Sequence, residues 1–324
     1  MMKFPNIVVF DIGASGRANK NISKISRNKI VPCSIYLVEP SSYLKVKNLK
    51  NSKIIKSAIG LDNGPKTLYD PEVGGASIYR RNNEIVYRYV SKNAFTEKVK
   101  LEEIILETFN KIANRNNIDR VDAFKIDTQG SELDILKSID EANLLDKCLL
   151  FEVEVPSLPT SYLDQPKLSE IIKFFEEKGF WLGNIESNCA LDISHKGFIK
   201  KNKLFLSLLK NISKKKPMDI DCIFFADPIK IIKSENPAII KRYALIMAMW
   251  GFYLESISIV GEAFKNNLIS YKEFNELKKC IKKISNLENI IYLFYVSLKM
   301  LINKLKNSLI LIIKTIVKNK LFSN

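Results

Sequence analysis

A single histidine, His195, stands among 324 residues, so only one side chain has an unperturbed pKa near neutrality. The five cysteines, Cys33, Cys148, Cys189, Cys222 and Cys280, are scattered with no C-x-x-C pair. An odd count without close spacing argues against a zinc site and fits a reducing compartment, so no metal is expected. Cys148 and Cys222 fall in apolar runs, where a thiol packs as a small hydrophobe. The uncharged stretch Tyr243–Leu254 is about 12 residues long, short of the roughly 20 needed to span a bilayer. The first apolar run begins at Ile7. That leaves no room for a signal peptide and makes the cytoplasm the expected compartment.

What is present is a basic, core-forming chain. Hydrophobic residues make up 46%, and 51 Lys and Arg against 35 Asp and Glu give a formal charge of +16. Such a charge favours anionic partners, although Lys, Asn and Ile are abundant throughout, which equally fits a general compositional bias.

The chain is organised around Ile7-Val8-Val9-Phe10-Asp11-Ile12-Gly13-Ala14-Ser15-Gly16. Its apolar, β-branched start predicts a buried strand. The acid and the two glycines after it form a turn where backbone can approach a ligand closely. Ser34–Pro40 predicts a second strand ending in Glu39, about 28 residues after Asp11, where a carboxylate can accept both hydroxyls of a ribose. Val121–Asp127 runs into Thr128-Gln129-Gly130-Ser131-Glu132, again strand, acid, glycine turn and helix start. Cys148–Val155 is a further strand carrying Glu152 and Glu154, which share one face because side chains alternate along a strand.

Elsewhere the pattern predicts a first helix within Gly16–Asn28, a third strand over Lys53–Ile59 and a helix over Leu101–Asn114. Leu101, Ile104, Ile105, Phe109 and Ile112 supply the helical spacing of that last element. The irregular stretch between Gly60 and Lys100 is suited to covering a substrate. Its Tyr79, Arg80, Arg81, Tyr87 and Tyr89 can stack on a sugar or pair with a phosphate, or form a solvated basic loop. Helices are expected over Glu132–Ser138 and Lys167–Lys178, the latter ending at Gly179. Phe180–Ile185 and Asp221–Ala226 complete the sheet.

After Pro228 strand–helix alternation stops, which divides the chain into residues 1–228 and a helical region 229–324. That region predicts helices over Ile239–Asn266, Ser270–Ile284 and roughly 290–320. The last carries an apolar stripe (Leu298, Leu301, Leu305, Leu309, Ile312, Ile316) opposed by lysines, and no acid follows Glu288. It is expected either to pack on neighbours or in a homo-oligomer, or to lie peripherally on an anionic membrane face.

Together Asp11–Gly16 (DIGASG), Val38–Pro40 (VEP), Lys125–Leu136 (KIDTQGSELDIL) and Phe151–Glu152 resemble the FkbM family of S-adenosylmethionine-dependent methyltransferases, over roughly residues 5 to 227. Ser15 stands where that family usually has asparagine. The resemblance implies a Rossmann-like class I methyltransferase domain: an α/β fold with a seven-stranded, mostly parallel sheet ending in an antiparallel hairpin. It implies S-adenosylmethionine as cofactor, held by Asp11, Gly13, Gly16, Glu39, Ala58 near the adenine, and Asp127. It also implies methyl transfer to a sugar hydroxyl of a surface glycan. Other small-molecule or lipid-linked acceptors stay open, as does a scaffold role in a glycan-building complex.

A hydroxyl acceptor benefits from a general base. Asp127 fits that role or that of holding the cofactor's amino group. Glu152 and His195 are the other candidates, against a structural hydrogen-bonding role for the first and a solvated loop position for the second. Nucleic acid is not the expected acceptor, because Asp127-Thr128-Gln129-Gly130 stands where amino-directed DNA enzymes carry N/D-P-P-Y. A dehydrogenase is disfavoured by the missing third glycine of G-x-G-x-x-G.

Overall fold

The structure is a computed structural model. It describes residues 4–14, 20–27, 30–43, 46, 49–72, 75–84, 99–156, 162–190 and 216–285. Seven strands form the main sheet: β1 (Ile7–Ile12), β2 (Cys33–Val38), β3 (Ser52–Ile55), β7 (Ala123–Ile126), β8 (Leu150–Pro156), β9 (Phe180–Ala190) and β10 (Lys216–Ala226). Their order is β3-β2-β1-β7-β8-β10-β9. All neighbours are parallel except β10, which runs antiparallel to both β8 and β9. The expected closing hairpin is therefore present, and strand order reverses between β1 and β7.

Continuous apolar runs make the central strands because both faces are covered. One face carries Phe10, Ile12, Phe124, Ile126, Phe151, Val153 and Phe224 under α2 (Phe109–Arg115), α3 (Glu132–Glu141) and α4 (Leu168–Glu177). Its rings stack across strands, with Phe124 and Phe151 centroids 5.2 Å apart and Phe175 and Phe224 4.0 Å apart. The other face carries Ile7, Val9, Ile35, Leu37, Ala123, Leu150 and Ile223. It packs under α1 (Lys20–Arg27), α5 (Pro228–Lys233), α6 (Pro237–Met249), α7 (Tyr253–Lys265) and α8, residues 271–285. Residues 229–285 thus share one core with the sheet.

Three expectations are corrected. Leu101–Asn114 is not one helix: Leu101–Glu107 is strand β6, and the helix begins after Thr108, whose side chain accepts from Lys111 N. Strand β6 pairs with β5 (Gly64–Tyr69) and β4 (Ala58–Ile59) in a separate three-stranded sheet, order β4-β6-β5. The expected third strand is accordingly split, Ser52–Ile55 joining the large sheet and Ala58–Ile59 the small one. The span 239–266 is two helices broken at Gly251, whose φ of +92° lies in the left-handed region. Among the described residues, no helix is long and apolar enough to cross a membrane. Residues 290–320, with Tyr87, Tyr89, Gly16 and His195, lie outside the described residues.

Candidate functional site

A cleft opens at the carboxyl ends of β1, β2 and β7, beside the point where strand order reverses. Ile12, Gly13, Val38, Glu39, Ser57, Ala58, Asp127, Thr128, Gln129 and Ser131 line it. The small sheet and the segment after it close one side with Ile59, Leu68, Ala76, Ile78 and Leu106. The cleft therefore has an apolar wall and two acids, Glu39 and Asp127.

Gly13 shapes the cleft through the chain's own backbone. Its φ is +85°, and a Cβ there would lie 1.8 Å from the Asp127 carbonyl oxygen. Gly13 N and Ala14 N both donate to Val38 O, at 2.9 and 3.1 Å, so the turn is stitched to the end of β2. Glu39 follows directly; it is buried, and its Oε1 accepts from Ser41 N at 3.0 Å. Burial raises its pKa, with the Ser41 amide and Lys56 opposing. Ala58, also buried, forms part of the cleft wall next to Ser57, whose hydroxyl donates to Glu107 Oε2 at 2.6 Å.

Asp127 is held from two sides. Gln129 Nε2 donates to its Oδ1 at 2.9 Å, and Lys125 Nζ lies 3.5 Å from its Oδ2. Burial works to raise the Asp127 pKa, but Lys125 and side-chain hydrogen bonds with Glu154 and Gln129 outweigh it and hold the carboxyl below its ordinary value. The loop beyond is fixed by Glu132, whose carboxylate accepts from the backbone N–H of Thr128 and Gly130, each at 3.0 Å. Glu132, the first residue of α3, is thus a buried anchor for the loop that leads into the helix.

Asp11, Lys125 and Glu152 lie in register across β1, β7 and β8. All three are buried, and they share the face covered by α1 and α6. Lys125 also bonds Asp221 Oδ1 at 3.1 Å. Burial pushes Asp11 up to about 7, Lys125 opposing and Asp127, Glu152 and Glu39 adding to the rise. Glu152 Oε2 accepts from Asn21 Nδ2 at 2.9 Å and from Trp250 Nε1 at 2.7 Å.

Of the residues expected at the site, Gly13, Glu39, Ala58 and Asp127 converge on the cleft. Asp11 and Glu152 stand behind it in the buried row, not on its lining. Lys125, Gln129 and Trp250 were not anticipated. Lys125 had a legible signal, a charge inside an otherwise apolar strand between Phe124 and Ile126. Trp250 had none, since its partner is 98 residues away.

The arrangement defines an open α/β protein with its ligand cleft at the switch point of the sheet. A family model described as "Methyltransferase FkbM domain" matches residues 12–182, and the chain belongs to the FkbM methyltransferase family. No curated protein and no solved structure matches it. The matched span takes in Gly13, Glu39, Ala58, Lys125, Asp127 and Glu152, and stops before β10 and the C-terminal helices.

Proposed function

We propose that the protein is an S-adenosylmethionine-dependent O-methyltransferase, with a sugar hydroxyl of a surface glycan as its acceptor. The observation that carries the cofactor reading is the convergence of Glu39, Ala58 and Asp127 on one apolar-walled cleft, in a chain of this family. The donor set fits the cofactor's chemistry. Glu39 would accept the ribose hydroxyls, and the apolar wall with Ala58 would take the adenine. S-adenosylmethionine supplies a methyl group on a sulfonium, already a good leaving group, so the protein's task is mainly alignment. Asp127, kept ionised by Lys125, would hold the amino group of the methionine portion or accept the proton of the acceptor hydroxyl at a carboxylate oxygen.

Isothermal calorimetry with S-adenosylmethionine tests the cofactor. Binding by the native chain is expected, and Glu39→Ala should weaken it by the roughly 1.5–3 kcal/mol of a hydrogen bond to a charged group. No binding by the native chain would sink the cofactor reading. Transfer of label to amines or peptides but not to glycans would overturn the acceptor class.

A further inference from the structure

Glu154 stands beside the cleft acid Asp127. Ile126 and Val153 pair in parallel register, so Asp127 and Glu154 follow as neighbours at the carboxyl ends of β7 and β8. Asp221 of β10 faces Glu154 on the other side. Side chains alternate along a strand, so these acids share the face of Lys125 and Glu152, two residues further out. Asp127 and Asp221 are 33% and 31% exposed and Glu154 is half-buried. Asp11, Lys125 and Glu152 beneath them are buried. The outer row is therefore open to a ligand.

That row is short of positive charge. Lys125 Nζ lies 3.5 Å from Asp127 Oδ2 and 3.1 Å from Asp221 Oδ1, and its charge also serves Glu152, Glu154 and Asp11. Gln129 Nε2 bridges from the loop, donating to Asp127 Oδ1 at 2.9 Å and to Glu154 Oε2 at 3.3 Å. Asp127 and Glu154 also hydrogen-bond each other. Two carboxyl groups can do so only when one of them carries a proton. Lys125 keeps Asp127 ionised, so Glu154 holds the proton and donates it.

We propose that Asp127 and Glu154 form a proton-sharing pair, which gives up its proton when the cofactor's ammonium binds at Asp127 and leaves Glu154 as the base for the acceptor hydroxyl. The proposal rests on the methyltransferase reading above and deepens it, dividing between two residues the roles open to Asp127. A second cation beside the pair removes the like-charge penalty that keeps Glu154 protonated. On binding, the proton leaves to solvent. In turnover the acceptor's O–H bond breaks, the electron pair stays on the attacking oxygen, and the proton passes to a Glu154 carboxylate oxygen. The base is thus armed only in the loaded protein.

The test is calorimetry on the full-length protein at pH 6.5, in buffers of differing ionisation enthalpy, which counts the protons released per ligand bound. An α-amino group titrates at about 7.7–8.0, so the ligands arrive with theirs already charged. S-adenosylmethionine and S-adenosylhomocysteine should each release about one proton. Methylthioadenosine, which lacks the amino-acid portion, should bind with no release. Its ribose still reaches Glu39, so a proton lost from Glu39 would appear with all three ligands. Glu154→Gln should bind S-adenosylhomocysteine without releasing a proton, whereas Asp11→Asn should keep the release. Cofactor binding by the native protein without proton release overturns the proposal and leaves the cofactor reading standing. Equal release with methylthioadenosine, or release undiminished in Glu154→Gln, also overturns it. Should Glu154→Gln fail to fold, the comparison of ligands on the native protein decides alone. Failure of the native protein to bind S-adenosylmethionine removes the cofactor reading, and the proposal with it.

Discussion

The indole Nε1 of Trp250 donates to Glu152 Oε2 across 2.7 Å, tying the C-cap of α6 to the middle of the main sheet. Arg242, earlier in α6, adds a second tie: its Nε lies 2.9 Å from Oδ1 of the buried Asp122, at the start of β7. The C-terminal helices are therefore fastened to the sheet by two charged contacts as well as by their apolar core.

Trp250→Phe keeps an aromatic ring but removes the N–H. A buried carboxylate that loses a donor should cost about 1–3 kcal/mol of stability. Combining it with Glu152→Leu should cost less than the two single changes added, because no charge is then left underserved. Urea denaturation of the four proteins checks this. Additivity would show that the bond contributes nothing.

How far the sequence discloses this fold follows from which interactions are local. The strands at Ile7, Cys33, Ala123 and Leu150 are short apolar runs flanked by turns, and each is where its run predicts. The stretch 101–114 misleads because its apolar residues keep helical spacing (Ile104, Ile105, Phe109, Ile112), while Leu101-Glu102-Glu103-Ile104-Ile105-Leu106 shows no apolar–polar alternation to announce a strand. Pairing with β5 and β4 makes it one, and no local window contains that pairing. Thr108 as an N-cap was the available clue. At the site, Glu39 and Asp127 are legible because strand ends announce them. Lys125 is legible as a charge inside an apolar strand, but its partners, like the tie from Trp250, are not, since they depend on which strands and helices become neighbours.

Gly13→Ala should damage the fold before it damages binding. Its Cβ would overlap the Asp127 carbonyl, and the φ of +85° is unfavourable for a side chain by about 1–2 kcal/mol. Relieving the overlap must displace β7's end, so a loss of melting temperature and of cofactor affinity together is expected. Lost affinity with unchanged stability would mean instead that the glycine serves only the ligand.

Lys125→Met should act on Asp127. Lys125 is 3% exposed and is the cation between Asp127 and Asp221. Removing it costs about 3–5 kcal/mol, as for other broken buried pairs, and lets burial raise the Asp127 pKa. Cofactor affinity should then fall more steeply toward pH 5.5 than in the native protein, and Asp127→Asn should abolish that difference. Calorimetry at several pH values reads both effects. A pH-independent loss would confine Lys125 to a structural role.

Asp11 makes stability depend on pH in an unusual direction for a carboxylate. In the unfolded chain it titrates near 3.9, whereas burial in the folded sheet pushes it up to about 7. Between those values the folded protein keeps a proton that the unfolded chain has released, so unfolding becomes easier as pH rises. The shift of about three units corresponds to about 4 kcal/mol, fully present as stability below pH 4 and gone above pH 7. Glu39 and Glu132, whose pKa values burial also raises, act in the same sense. Glu273 acts oppositely: its pairing with Lys241 lowers it to about 2, so its contribution disappears only as pH falls below the ordinary glutamate value. The native protein should therefore resist urea better at pH 5 than at pH 8. Asp11→Asn, which cannot ionise, should narrow that gap mainly by gaining stability at pH 8. An unchanged gap in the variant would assign the pH dependence to groups other than Asp11.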